Sequence, residues 1–245
     1  MVRTAAALII GNELLSGKIQ ETNLKLLAEE LFGLGVALRR VVICPDEVEV
    51  IAGELNALRC RYDVVFTSGG VGPTHDDVTV EAVAQALGRP VVRFAELEEL
   101  LVGFFGPRLR ARHLRMADLP EGAELVRARE GGWPVVKVDN VYVLPGLPEV
   151  FRRKLPILRA VIPGSGAFVN RTLLLHCDEG EVADLLDRLV AAHPGVGIGS
   201  YPVWEGREFA VRITFDGKDE AAVERAAEAL RSALPALPGS DPPQP

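Results

Sequence analysis

Residues 69–77 read Gly69-Gly70-Val71-Gly72-Pro73-Thr74-His75-Asp76-Asp77, a glycine-rich turn that ends in two adjacent carboxylates. Such a turn between a strand and a helix exposes successive backbone N–H groups to an anion, and the start of the next helix adds positive dipole. It is not a Walker loop, because no Gly-Lys-Ser/Thr follows, and the third glycine of a dinucleotide fingerprint would fall at His75. The plain alternative is a tight βα turn. Asp76 and Asp77 stand where a helix begins, so capping is a sufficient structural reason for one of them. Beside an anion cradle, however, carboxylates repel a phosphate unless a divalent cation bridges them. Mg²⁺-type ions favour one or two carboxylates plus phosphate oxygens. Asp46 and Glu13 lie just past two other strand-like runs. Each acid alone reads as a cap; four at the carboxyl ends of three consecutive strands form a constellation.

The elements that must position these residues alternate two periodicities. Residues 4–10 form a short β-branched and Ala-rich run, readable as a buried strand. Leu24, Leu27, Ala28, Leu31 and Leu34 follow helical spacing, with Gly35 as a natural stop. A second strand over 37–44 ends at Pro45, and Asp46 with Glu49 has capping-box spacing for a helix whose apolar face is Val48, Ile51, Ala52, Leu55 and Leu58. A third strand, 63–67, feeds the glycine turn, and a helix over 80–87 closes at Gly88. This order predicts a parallel sheet covered by helices on both faces, with ligands outside the carboxyl ends of the strands. Further on, 97–105 reads as a helix, 108–116 as a basic and partly helical stretch, and 135–138 with 141–144 as a hairpin through Asp139-Asn140. Pro145-Gly146-Leu147-Pro148 launches a helix through Arg159, and residues 163–166 read as a linker. Strand-like 171–176, helical 179–192, strand-like 203–204 and 208–215 and helical 219–234 then predict a small α+β domain.

Composition narrows the function classes. In 245 residues, 48% are hydrophobic and 25% charged, which excludes a disordered or fibrous chain. The apolar run Ala5 to Ile10 is too short to span a membrane, and one basic residue before it makes no secretory signal, so a cytoplasmic protein is expected. Three scattered cysteines fit reduced thiols. A net charge of −7 speaks against nucleic acid. The small domain has a KH-like order of elements, but residues 167–235 carry 7 Lys/Arg against 12 Asp/Glu and no G-x-x-G clamp. Arg108, Arg110, Arg112, His113 and Arg115 read as a solvated helix face, with contact to a substrate phosphate or a partner chain as the alternative. His176 beside Cys177 reads as packing, and Trp133 carries no specific signal.

Several segments together resemble a known family. Gly11-Asn12-Glu13-Leu14-Leu15-Ser16-Gly17, Thr22-Asn23, Pro45-Asp46-Glu47, residues 69–79 and Leu144-Pro145-Gly146-Leu147-Pro148-Glu149 resemble the MoaB/Mog-type molybdopterin-binding domain. Within it, the likeness is to the amino-terminal domain of competence/damage-inducible protein A and to the molybdopterin-binding-like domain of eukaryotic FAD synthase. It covers about residues 3–160, and residues 167–235 look like the small domain that follows in competence/damage-inducible protein A. The resemblance implies a three-layer α/β/α fold with a mostly parallel sheet and a second, smaller α+β domain. The expected boundaries are 1–162 and 167–235, with a frayed tail over 236–245.

The resemblance also implies a nucleotide or pterin-phosphate pocket. Asp46 and Asp77 match the family's paired acidic positions and would hold a divalent metal (Mg, Co or Mn), with Asp76 beside them in the catalytic group. Gly11, Glu13, Gly69, Gly70, Gly72, Pro73, Thr74, Pro145 and Gly146 would contact the ligand. Relatives act as metal-dependent pyrophosphatases on ADP-ribose or FAD, whereas Mog-type enzymes adenylylate molybdopterin. No amidohydrolase or adenylyltransferase domain follows in the chain, so deamidation of nicotinamide mononucleotide and FAD synthesis are expected to be absent. The expected function is a metal-dependent nucleotide pyrophosphatase; the alternatives are a pterin-phosphate-binding module without chemistry of its own and a dimeric scaffold. Expected partners are the small-molecule phosphate and a second copy of the chain in a dimer, with neither nucleic acid nor membrane.

Overall fold

A computed structural model describes residues 3–129, 132–203 and 210–234. The chain divides into two compact units, Met1–Ser165 and Gly166–Pro245.

The first unit begins with strand β1 (Arg3–Ile10), the one-turn helix α1 (Asn12–Leu15) and helix α2 (Asn23–Leu34). Strand β2 (Val36–Cys44), helix α3 (Val48–Arg59), strand β3 (Val64–Ser68) and helix α4 (Thr79–Leu87) follow. Gly35 and Gly88 close α2 and α4, the stops read from the sequence. Next come the short strand β4 (Val91–Arg93), helix α5 (Ala95–Phe105), the single turn α6 (Ala111–Leu114) and strands β5 (Asp118–Pro120) and β6 (Glu124–Val126). The hairpin β7 (Val135–Val138) and β8 (Val141–Leu144) lead into helix α7 (Pro148–Val161).

Six strands form one sheet in the order β2-β1-β3-β8-β7-β6. Pairings from β2 through β8 are parallel; β8–β7 and β7–β6 are antiparallel. The alternation of β1 explains the layers. Ala5, Ala7 and Ile9 face a core shared with Leu27 and Leu31 of α2 and Phe151 and Leu158 of α7. Ala6, Leu8 and Ile10 face a second core with Ile51 and Leu55 of α3 and Ala82 and Val83 of α4. A strand buried on both faces reads as a continuous apolar run, which is why residues 5–10 contain no polar side chain. From β1 the chain passes to β2 on one side and then back across to β3 on the other. The reversal leaves a crevice at the carboxyl ends of β1 and β3, where ligands settle in open α/β sheets.

In the second unit, β9 (Val169–Leu175), helix α8 (Glu179–Ala192), β10 (Gly197–Val203), β11 (Ala210–Gly217) and helix α9 (Glu220–Ala233) make an antiparallel sheet, order β10-β11-β9, under two helices. Its own core gathers Leu173, Val182, Ile213, Phe215 and Leu230. Asp178 caps α8 in a capping box with Glu181.

Differences from the sequence reading have local reasons. Helix α3 starts at Val48 after Glu47 with no side-chain cap, so Asp46 is not its cap. Nor do Asp76 and Asp77 cap α4, which begins at Thr79 after Val78. The basic stretch 108–116 forms only single turns, folded back so that His113 stacks on Phe105 at 3.9 Å. Strands β4, β5 and β6 are three residues each, too short to show a period. The strand expected over 203–204 is the end of β10, which starts at Gly197, and the one expected at 208 is described from Ala210. Residues 204–209 and the tail expected to fray lie outside the described residues. Among the described residues no helix is long and apolar enough to cross a membrane.

Candidate functional site

The crevice at the ends of β1 and β3 is a cleft of about 630 Å³. Glu13 comes from α1, Asp46 from the turn after β2, and Gly69, Gly70, Gly72, Thr74, Asp76 and Asp77 from the turn after β3; Pro145 and Gly146 come from the turn after β8. These expected site residues are therefore brought together. Two others are not on the wall. Gly11 sits behind Glu13, its amide donating to the Cys44 carbonyl at 3.2 Å, and a Cβ there would lie 2.5 Å from Glu13 Oε1. Pro73 belongs to the turn without lining the cleft.

The carboxylates are tethered, not capping. Asp46 Oδ2 accepts from the Asn12 amide at 2.8 Å and ties the start of α1 to the end of β2. Asp77 Oδ2 accepts from the Thr74 amide at 2.8 Å and from the Thr74 hydroxyl, which folds the glycine turn back on itself. Among the described residues no hydrogen bond engages Oδ1 of either. The Asp76 carboxyl is held below the usual carboxylate range, first by the Thr74 hydroxyl and then by its own amide and His75. One hydroxyl proton thus lies within reach of two carboxylates. At the other side of Asp46, burial foremost, with Glu54 and Asp46 adding negative potential, pushes the Cys44 thiol up to about 11.

The glycines divide into two kinds. At Gly69 the backbone is left-handed (φ 109°), and a Cβ would lie 2.2 Å from the Ile10 carbonyl oxygen. Its role is to let the ends of β1 and β3 touch. Gly72 has open backbone geometry, and a Cβ there would lie 2.7 Å from Asp77 Oδ2. Buried Thr79 staples the turn: its hydroxyl donates to the Gly69 carbonyl at 2.8 Å and its amide to the Gly70 carbonyl at 3.0 Å. Among the described residues nothing accepts from the amides of Gly70, Val71 and Gly72. Three successive free amides make an anion-binding concavity.

Asn23, the first residue of α2, stands in one of the family-like segments but not among the expected site residues, and it joins the site. Only 2% exposed, it donates through Nδ2 to the Gly146 carbonyl at 2.7 Å and to Ser68 Oγ at 3.2 Å. Ser68 Oγ in turn donates to the Pro145 carbonyl at 3.3 Å. The turn after β8 is thereby fixed against the glycine turn. Asn23 Oδ1 is buried without a partner among the described residues.

The electrostatics are one-sided. Glu13, Glu21, Asp46, Asp76 and Asp77 line the cleft, and of the described residues no Lys, Arg or His does. The arginines of 108–115 lie outside it. No three His, Cys, Asp or Glu among the described residues gather as a metal cage. Two tethered carboxylates with oxygen atoms to spare suit a hard divalent cation that completes its shell with phosphate and water.

Fold and cleft together define a MoaB/Mog-like α/β domain followed by a small α+β domain. The chain belongs to the family described as the probable molybdopterin binding domain, whose model matches residues 6–163. The model for the middle domain of FAD synthase matches residues 167–238. The chain is 32% identical to a protein of Archaeoglobus fulgidus over 225 residues, 92% of this chain and 95% of that one. It is 30% identical over 260 residues to the probable FAD synthase of Caenorhabditis elegans, covering 95% of this chain and 50% of that longer protein. The crystal structure of CinA from Thermoplasma acidophilum, a protein described as of unknown function, superposes with a TM-score of 0.58 at 27% identity, covering 64% of this chain and 96% of that one.

Proposed function

We propose that the first unit hydrolyses the pyrophosphate bond of a nucleotide such as ADP-ribose or an FAD-like dinucleotide, with a divalent cation between its carboxylates and the phosphates. The observation that carries this reading is the cleft wall itself: five carboxylates and no cationic side chain among the described residues, beside three free amides. Such a cleft favours an anion that arrives with a counter-cation. Asp46 and Asp77 are the residues that would hold it. When bound, the cation would draw charge from the phosphate oxygens and make water a stronger nucleophile.

The chain's own groups do the rest. The amides of Gly70, Val71 and Gly72 donate to the phosphate oxygen on which charge grows as the P–O–P bridge opens. Asp76, kept ionised by its hydrogen bonds, accepts a proton from the attacking water. One water is consumed; ADP-ribose yields AMP and ribose phosphate, and FAD yields AMP and FMN. A second reading, a pterin-phosphate binder without chemistry, is favoured by the family matched over 6–163.

Asp77→Asn separates the two. The amide oxygen still accepts from Thr74, so the turn keeps its shape while one charge is lost. Hydrolysis of ADP-ribose or FAD should fall by roughly 10²-fold or more, about 2.7 kcal/mol of transition-state stabilisation. AMP binding measured without metal should persist or tighten. A parent protein that turns over neither substrate with Mg²⁺, Mn²⁺ or Co²⁺ leaves only the binder.

A further inference from the structure

A second cavity, about 830 Å³, adjoins the acidic cleft and has the opposite charge. Arg127, Arg129, Arg153 and Lys154 line it, and of the described residues no Asp or Glu does. These cations are gathered on one side. Arg127 and Arg129 follow β6, and Arg153 and Lys154 belong to α7, whereas α5 contributes only Leu97, Leu101, Phe104 and Phe105. Val136, Val143 and Ile157 extend the apolar wall. At the rim, Trp133 meets Phe104 edge-to-face at 5.4 Å between ring centres, and both stay exposed. Apolar surface left open around a concave space is the mark of a binding site.

The four cations differ in what already holds them. Arg127 is engaged: Nε donates to the Gly132 carbonyl at 2.9 Å, one terminal nitrogen donates to the Leu125 carbonyl at 3.1 Å, and the other pairs with Glu96 at 2.8 Å. It fixes the loop after β6. Arg129 and Arg153 are exposed, and among the described residues no ion pair or side-chain hydrogen bond engages either guanidinium. Lys154 is buried, and its Nζ donates to the Pro134 carbonyl at 2.6 Å and towards that of Trp133 at 3.5 Å. One of the three N–H groups of its ammonium is left for a further acceptor. Burial pulls the Lys154 pKa down to about 8, with Arg127 adding to the effect. An anion bound beside it would offset that cost.

Two-sided walls select a two-sided ligand. A wholly polar anion gains nothing from the α5 side, and a neutral hydrocarbon leaves the Lys154 ammonium facing a dry space. An apolar cation is repelled by all four side chains. We propose that this cavity binds a medium-chain aliphatic carboxylate, its chain against α5 and its head group at Lys154, Arg129 and Arg153. The site is separate from the hydrolytic reading of the acidic cleft, and neither needs the other.

The test titrates the full chain by calorimetry at low salt with hexanoate, octanoate and decanoate, each below its micelle concentration. Burial of the chain should tighten binding by about tenfold for each added pair of methylenes. Head-group dependence is read from decanol and decyltrimethylammonium, which share the ten-carbon chain. Decanol should bind at least tenfold more weakly than decanoate, and the ammonium should not saturate. Lys154→Met should weaken decanoate by about tenfold and leave decanol within twofold. Should that variant fail to fold, Arg129→Gln with Arg153→Gln alters only exposed side chains and is expected to give the same pattern. Decanol binding as tightly as decanoate, affinity independent of chain length, or an equal loss for both ligands in the variants overturns the proposal. It is also overturned if the parent binds no decanoate and Phe104→Asp splits a dimer in sedimentation, because a second copy then covers the cavity.

Discussion

Lys154 shows how much one side chain can be made to reveal about its surroundings. In the unfolded chain it titrates near 10.5, and in the fold near 8. Because the folded value is the lower one, the unfolded state holds the extra proton between those two pH values. Stability should therefore rise with pH across that window, by roughly 3 kcal/mol from a shift of this size. Chemical denaturation of the parent protein and Lys154→Met between pH 7 and pH 10.5 checks this, since the rise should be missing in the variant. Asp76 works in the opposite sense. Its hydrogen bonds lower its pKa, so it is ionised well below neutral pH and no loss of its charge is expected until strongly acidic conditions.

Among the elements, the turn after β3 makes the sharpest prediction. Gly69→Ala forces a side chain into left-handed backbone and against the Ile10 carbonyl, and should cost about 3 kcal/mol or more. Gly72→Ala meets only the movable Asp77 carboxylate, so it should fold with little loss and weaken nucleotide binding instead. Thermal melts beside AMP titrations distinguish the two, and a reversed pattern would mean that the free amides are not the binding surface. The same turn shows what sequence can carry. Its position after a buried strand, the alternation of β and α up to α4 and the α2 and α4 stops are local signals, each with its own period or glycine, and all were readable. Asp46 was readable as an acid at a strand end, yet a tether to Asn12 has the same local signature as a helix cap. Asn23 stands in a segment that carries the resemblance, but its role does not show locally: its partner carbonyl at Gly146 lies 123 residues away. A cavity lined by Leu97, Phe104, Trp133, Lys154 and Ile157 draws on α5, α7 and the edge of the sheet, so neither Trp133 nor Lys154 carries a signal of its own.

For the whole molecule, the junction between the units is later than its composition suggests. Residues 163–166 read as a flexible linker, but the Ser165 amide and hydroxyl donate to the Leu34 and Gly35 carbonyls at 3.0 and 2.8 Å. These bonds satisfy the carboxyl end of α2, which would otherwise be left open. Residues 1–165 should therefore unfold alone in a single cooperative transition. A fragment ending at residue 162 should lose roughly 1–3 kcal/mol, visible as a lower melting temperature. Fragments that melt identically would remove Ser165 from the first unit's fold. Cysteine placement offers a way to follow both units in the intact protein. Cys60 is exposed, while Cys44 and Cys177 are buried, one in each unit, with both thiols pushed above their usual range by burial and nearby acids. An alkylating reagent should modify Cys60 at once and reach the other two only when their own unit opens. Peptide mass spectrometry over a time course would thus yield two separate opening rates from the natural chain, each sulfur acting as a clock for the half of the protein that encloses it.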